Sequence, residues 1–268
     1  MTDTPNRTAG VKADLRMVGE DVAAALMLLT RIPVPWHRIS DSPPDLNRAL
    51  WAYPVVGLVI SGLGAAVFLG ASAVSLPPLV AALLALLAMV LGTGAFHEDG
   101  LADVADGFGG GQDKARKLEI MKDSRIGTYG TVAVVLSLGV RAGALSAFTP
   151  LAAGTALLVA GCFSRLMIVV VLRLMPPAYE GGMGTVAGRP TSGRLLMAVM
   201  IAAGSGLLLL PVSAFLAAVL AAGVGAGLMA EIARRQIAGY TGDVLGAVQQ
   251  VAEILVLLTL ISYGEVIP

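Results

Sequence analysis

The chain has 268 residues, 56% of them hydrophobic and 13% charged, with a mean hydropathy of +0.82. Soluble domains carry about 25% charged residues, so this composition excludes an ordinary soluble enzyme and points to an integral membrane protein whose apolar excess lies in long runs. The 18 acidic and 18 basic side chains balance, which gives no reason to expect a nucleic-acid partner, and the lone Cys162 excludes an intrachain disulfide.

Residues 1–14 are polar and read as a disordered lead. The apolar run that follows, Val18 to Thr30, is broken by Arg31 and Pro33 and has no small-residue cleavage site, so no cleaved signal peptide is expected. It is too short to span a bilayer at about 1.5 Å per residue and is expected as an interfacial helix ending near Arg31–Pro35. Residues 36–51 are polar, with Pro43-Pro44 as a turn. Spans are expected at roughly 52–74, 79–96, 130–148, 152–172, 195–210, 212–230 and 245–263. The 195–230 region can be one kinked unit or two spans. Gly57, Gly62 and Gly64, then Gly223, Gly225 and Gly227, suit close helix packing in lipid, and Cys162 suits a small buried position. The expected fold is therefore all-α: one integral-membrane domain over 1–268, a polytopic bundle of about six or seven transmembrane helices plus the interfacial helix.

Charge sets the sidedness. The connections near Ser75–Pro77, Thr149-Pro150 and Leu210-Pro211 carry no charge, whereas those near 97–129, 173–194 and 231–244 hold nearly all the loop Lys and Arg. Alternating spans put every cationic segment on one face, which the positive-inside rule makes cytoplasmic. Seven spans then place the N-terminus inside and the C-terminus outside.

The stretch Gly94–Gly130 is the one long polar island, with seven of the chain's 18 acidic residues and five of its 18 Lys and Arg. Asp99, Asp103 and Asp106 are spaced i, i+4, i+7 and fall within about 60° of one helix face. Such carboxylates repel unless a cation neutralises them, and oxygen-only ligands suit Mg²⁺, which takes one or two carboxylates plus substrate phosphates. Gly107, Gly109, Gly110 and Gly111 are expected to stop the helix and to let backbone approach a ligand. Lys114, Arg116, Lys117, Lys122 and Arg125 are candidates for phosphate oxygens, or basic residues of a membrane-facing loop. The set points to metal-assisted phosphoryl transfer in a catalytic segment over 97–129. His97 is a candidate base or hydrogen-bond donor, or an interfacial histidine.

Arg141 and Arg165 lie inside apolar segments, where an arginine needs a partner; Glu253 is the candidate. Asp243, in Gly239–Ala247, is either an N-terminal helix residue or a second contributor to the metal site. Residues 180–184, Glu180-Gly181-Gly182-Met183-Gly184, form a substrate lid or a plain connector.

GAFHEDGLADVADG (94–107), followed by LEIMKDSRIGTYG (118–130), resembles the signature of the cobalamin synthase family. Supporting matches are LTRIPVP (29–35), YPVVG (53–57), Ser164-Arg165, the glycine loop 181–184 and TGDVLGA (241–247) with Glu253 downstream. They run in family order from about 28 to 260. Two departures stand out: Gln250 occupies a position that is acidic in many members, and Glu98 falls at a variable one. The resemblance implies a multi-pass protein of the bacterial cytoplasmic membrane, with its active site facing the cytoplasm. It would join adenosylcobinamide-GDP to α-ribazole or its 5′-phosphate, with Mg²⁺ required and GMP released. Within that reading Asp99, Asp103 and Asp106 hold the metal, and His97, Asp99, Lys122 and Arg125 serve the chemistry. Gly107, Gly109, Gly110, Ser124, Gly127, Arg165 and Asp243 contact substrate.

Two rivals have different signatures. A CDP-alcohol phosphotransferase also uses membrane-helix aspartates and Mg²⁺, but it carries an Ala-Arg pair after its second aspartate and a later aspartate pair, both missing here. A transporter with an acidic ion site accommodates Arg141, Arg165 and Glu253. The densest charge, however, lies at one face rather than the midplane, and no inverted repeat is apparent.

Overall fold

The computed structural model describes residues 7–181, 187–264 and 267, with side chains from Leu15 onward. Its α-helices are α1 (Arg7–Leu29), α2 (Tyr53–Ala73), α3 (Pro78–Thr93), α4 (Phe96–Gly110), α5 (Lys114–Ile120), α6 (Thr128–Ser146), α7 (Pro150–Leu174), α8 (Ser192–Leu209), α9 (Val212–Ile237) and α10 (Gly242–Ile261). Two short 3-10 turns, Trp36–Arg38 and Arg48–Ala52, lie between α1 and α2. Among the described residues there is no strand, only an isolated bridge between Pro177 and Tyr240. This is the expected all-α bundle.

Six helices, α2 and α6 through α10, are long and apolar enough to cross a membrane. The seventh expected span, 79–96, is α3, which meets the length and hydropathy requirement only together with α4 and is bent from it by 90°. Its 16 residues reach about 24 Å. The chain then turns at Gly94 and Ala95, both left-handed, with φ of 67° and 58°. The 195–230 region is two helices, because Pro211 cannot continue α8 and instead opens α9. Helix α1 is longer than the expected 18–30 and takes in residues 7–14 of the expected disordered lead. No proline interrupts Arg7–Leu29, and good helix formers dominate it. Residues 1–6 lie outside the described set. Asp21, buried on α1, accepts the Trp51 indole N–H at 2.8 Å and pairs with Arg48, which also bonds Glu20 at 2.9 Å. These bonds pin α1 to the start of α2.

Helix α7 is the centre of the bundle and is buried along nearly its whole length. It packs on α2, α8, α9 and α10. A Cβ on Gly57 would collide with the Gly161 carbonyl, so glycine is what lets α2 and α7 touch. Gly225 lets α9 approach the Ala252 backbone, and Gly64 faces Met89. Gly223 and Gly227 face open space and Gly62 has only a distant contact, so the packing reading holds for half of the six glycines.

The charged connections meet at one end of the bundle. Lys114 donates to the Ala178 carbonyl at 2.8 Å and Lys117 bonds Gln236. Asn47 donates to the Arg189 carbonyl at 3.2 Å. Two backbone bonds, Ala178 N–H to the Tyr240 carbonyl at 2.8 Å and Tyr240 N–H to the Pro176 carbonyl at 3.0 Å, tie the connection after α7 to the one before α10. The expected sharing of one face by the cationic segments is thus seen as direct contact.

Candidate active site

Helix α4 is set by its corner. The Arg31 backbone N–H donates to the Gly92 carbonyl at 2.7 Å, and its side chain lies against Gly94. From there α4 runs between α6 and α10. Gly100 lets it press on α10: a Cβ there would sit 2.8 Å from the Asp243 carbonyl oxygen and 3.0 Å from its Cα. A Cβ on Gly239 would sit 2.5 Å from the Ala178 amide nitrogen, so that close crossing also fixes the chain entering α10. Thr241 caps α10 by accepting the Val244 N–H at 3.2 Å, and its hydroxyl donates to Asp243 at 3.2 Å. Asp243 is therefore both an N-terminal helix residue and a neighbour of the α4 carboxylates.

A cavity of about 290 Å³ opens at this junction. Asp99, Asp243 and Lys122 line it together with Phe96, His97, Tyr53, Tyr179 and a mostly aliphatic wall from α1 and α7. The Lys122 ammonium lies 4.6 Å from the centre of the Tyr179 ring, a cation–π contact that holds it beside the opening. Arg125 is elsewhere: it is exposed, pairs with Asp123 at 2.7 Å, and lines a second, open cleft with Asp106 and Thr128. Ser124 is exposed in the same turn.

Asp106 differs from the other two aspartates. One oxygen accepts the Gly127 N–H at 2.7 Å and the other the Gly130 N–H at 2.8 Å. It caps the first turn of α6, satisfying amides that have no partner within that helix. A Cβ on Gly127 would lie 2.5 Å from its carboxylate, and one on Gly130 would collide with it. Asp106, expected to ligate metal, and Gly127, expected at substrate, are thus fitted to each other in this structure. The spacing i, i+4, i+7 shares a face but also climbs about 10 Å along the axis, more than one Mg²⁺ shell bridges. The glycines differ from expectation too. The helix continues through Gly107 and Gly109 to Gly110, and the space they leave is filled by protein. A Cβ on Gly107 would be 2.5 Å from Met121, and one on Gly109 would be 2.8 Å from the Tyr129 ring.

The remaining carboxylates lack counter-charge. No ion pair among the described residues involves Asp99, Asp103 or Asp243. Burial, reinforced by Asp99, Asp243 and Asp106, pushes the Asp103 carboxyl up to about 7. A carboxyl group crowded by like neighbours in this way belongs to a donor set that fits a hard cation. Among the described residues no three such groups already converge on one point.

Behind the cavity, His97 separates it from a buried polar core. Arg141 bonds Glu98 at 3.0 Å and Glu253 at 3.1 Å, all three nearly inaccessible. Gln250 donates to Glu98 at 3.1 Å and Gln249 to Ser164 at 3.0 Å, while Ser137 donates to Gln250 at 3.0 Å. Glu253 is thus the partner of Arg141, as expected. Arg165, expected at substrate, is instead enclosed in this core, 2% exposed, donating to the Gly161 carbonyl at 3.3 Å. His97 is 2% exposed, and its Nε2 has no hydrogen-bond partner among the described residues. Gln249 and Tyr179 were not singled out by the sequence. The Gln249/Glu253 i, i+4 polar pair in an apolar run was the available signal for one of them; Tyr179 gave none. Of the glycine loop 180–184, residues 182–184 lie outside the described set.

The family model described as cobalamin-5-phosphate synthase matches residues 21–261. A protein of Azorhizobium caulinodans named adenosylcobinamide-GDP ribazoletransferase is 45% identical over 255 residues, covering 91% of this chain and 96% of its own. Similar proteins of the same name from Rhizobium meliloti and Xanthobacter autotrophicus are 42% and 44% identical, with 91% and 93% of this chain and 97% and 98% of theirs covered. No solved structure matches.

Proposed function

The chain belongs to the cobalamin-5-phosphate synthase family, and on that premise we propose that it transfers the adenosylcobinamide-phosphate group of adenosylcobinamide-GDP to α-ribazole or its 5′-phosphate. A ribose hydroxyl oxygen bonds to the cobinamide-side phosphorus of the pyrophosphate. The bond from that phosphorus to the bridging oxygen breaks, GMP leaves with that oxygen, and the hydroxyl proton passes to a carboxylate. The observation that carries this reading is the meeting of α4 and α10: Asp99 and Asp243 line one cavity, Asp103 neighbours both, and Lys122 stands at its edge.

Asp99 and Asp243, which share the cavity, would hold Mg²⁺, with Asp103 beside them and Asp106 left to cap α6. When bound, the ion supplies neutralisation of the charge that develops on the phosphates. Lys122 supports a phosphate oxygen from the other side. The hydroxyl proton goes to whichever carboxylate of the cluster the ion leaves free, or to His97, which lines the same cavity. The positive-inside rule supports a cytoplasmic position for this end of the bundle, and the family reading supplies the bacterial inner membrane. Asp99→Ala and Asp243→Ala are expected to abolish cobalamin formation at saturating Mg²⁺ while leaving the protein folded. Near-normal turnover in either variant refutes the assignment, and preference for a CDP-linked donor refutes the reaction.

A further inference from the structure

The cavity has two unlike ends. Its interior wall includes Leu29 of α1, Tyr53 of α2, and Ile168 and Leu172 of α7, each at most 3% exposed. Asp99 and Lys122 are exposed at the rim and Asp243 is half-buried there. A ligand filling this space must lay an uncharged surface against α1, α2 and α7 and keep its polar, reacting groups at α4 and α10.

Three groups compete for it once the ribazoletransferase reading is taken as the premise. At about 290 Å³ the cavity sits at the small end of small-molecule sites, about 300–1,000 Å³, too small for a corrinoid macrocycle. Guanine carries donors and acceptors all round its edges, and the Leu29, Ile168 and Leu172 side chains pair with none of them, leaving only Tyr53 and His97 to meet them, which is costly. The ribazole base is flat, bicyclic, aromatic and uncharged, and its ribose carries the hydroxyl that must reach the pyrophosphate. We infer that the cavity is the acceptor chamber. The ribazole base lies against the α1, α2 and α7 wall with its ribose turned to Asp99 and Asp243. The corrinoid donor stays outside and brings only its pyrophosphate to the rim at Lys122.

The test uses the full chain in detergent with a photoreactive azido analogue of α-ribazole, followed by peptide mapping. Labelling of α1 or α7 wall residues, suppressed by excess α-ribazole, is expected; labelling that spares the wall overturns the inference. As a second measurement, Leu172→Trp should raise KM for α-ribazole by about ten-fold or more, the scale of a misfit of one or two methylenes in an apolar pocket. KM for adenosylcobinamide-GDP should stay unchanged. The opposite pattern, donor KM raised and acceptor KM unchanged, overturns it. If Leu172→Trp does not fold, Phe96→Ala, at a partly exposed wall position, carries the same expectation. Failure of the premise is separate: native protein that makes no cobalamin refutes the reaction, whereas active protein labelled only within residues 116–129 refutes the chamber alone.

Discussion

Asp106→Asn keeps the size of the side chain and removes its charge, so it separates a helix cap from a metal ligand. The carboxylate accepts two short backbone bonds, at 2.7 and 2.8 Å, from Gly127 and Gly130. Each charge-assisted bond contributes about 1.5–3 kcal/mol, and an amide retains one neutral bond worth about 1. The asparagine NH₂ would then face a backbone N–H that also donates. The expected loss is about 2–5 kcal/mol of folding stability, read as a lower thermal midpoint in detergent, while the Mg²⁺ concentration for half-maximal activity stays that of the native protein. Asp99→Asn should do the reverse: stability is held or raised as like charges separate, and the Mg²⁺ requirement climbs. An Asp106→Asn protein with native stability and a raised Mg²⁺ requirement would refute the capping argument and return Asp106 to the metal.

Other substitutions have equally definite outcomes. Gly127→Ala places a methyl 2.5 Å from the Asp106 carboxylate and should cost about 1–3 kcal/mol in thermal or denaturant stability, as overpacking does. Arg141→Met leaves Glu98 and Glu253 buried without their cation and should cost about 3–5 kcal/mol. Adding Glu253→Gln and Glu98→Gln to it should restore part of that, and a strictly additive result in the mutant cycle would contradict the coupling. Ala238 holds φ of 61° at the end of α9, where glycine is free of strain. Ala238→Gly should therefore stabilise by about 0.5–1 kcal/mol, measured by thermal melting.

Much of the bundle was legible because a span announces itself by length and hydropathy, and because breaks such as Leu210-Pro211 carry their own signal. The corner that creates the site was not. Gly94 hints at it, but Ala95 in a left-handed conformation has no sequence mark. The aspartate face was legible, yet the spacing that reveals a shared face hides the rise that carries Asp106 away to α6. Periodicity also says nothing about which helix lies opposite. It took the Gly100 contact to bring Asp243 to Asp99 and Asp103, and it took the fold to enclose Arg165. Gln250 and Glu98, far apart in the chain, are neighbours in the fold: Gln250 donates to Glu98 at 3.1 Å within a single buried network, a pairing that no spacing along the sequence signals.

Whether the carboxylates of α4 and α10 serve one Mg²⁺-assisted transfer is tested most directly by product formation. Purified, detergent-solubilised protein is given adenosylcobinamide-GDP and α-ribazole, with and without Mg²⁺, and GMP and corrinoid are followed by chromatography. GMP is expected to appear one-to-one with cobalamin, only when Mg²⁺ is present and not in Asp99→Ala or Asp243→Ala. Turnover undiminished after chelation, or in either variant, would contradict it.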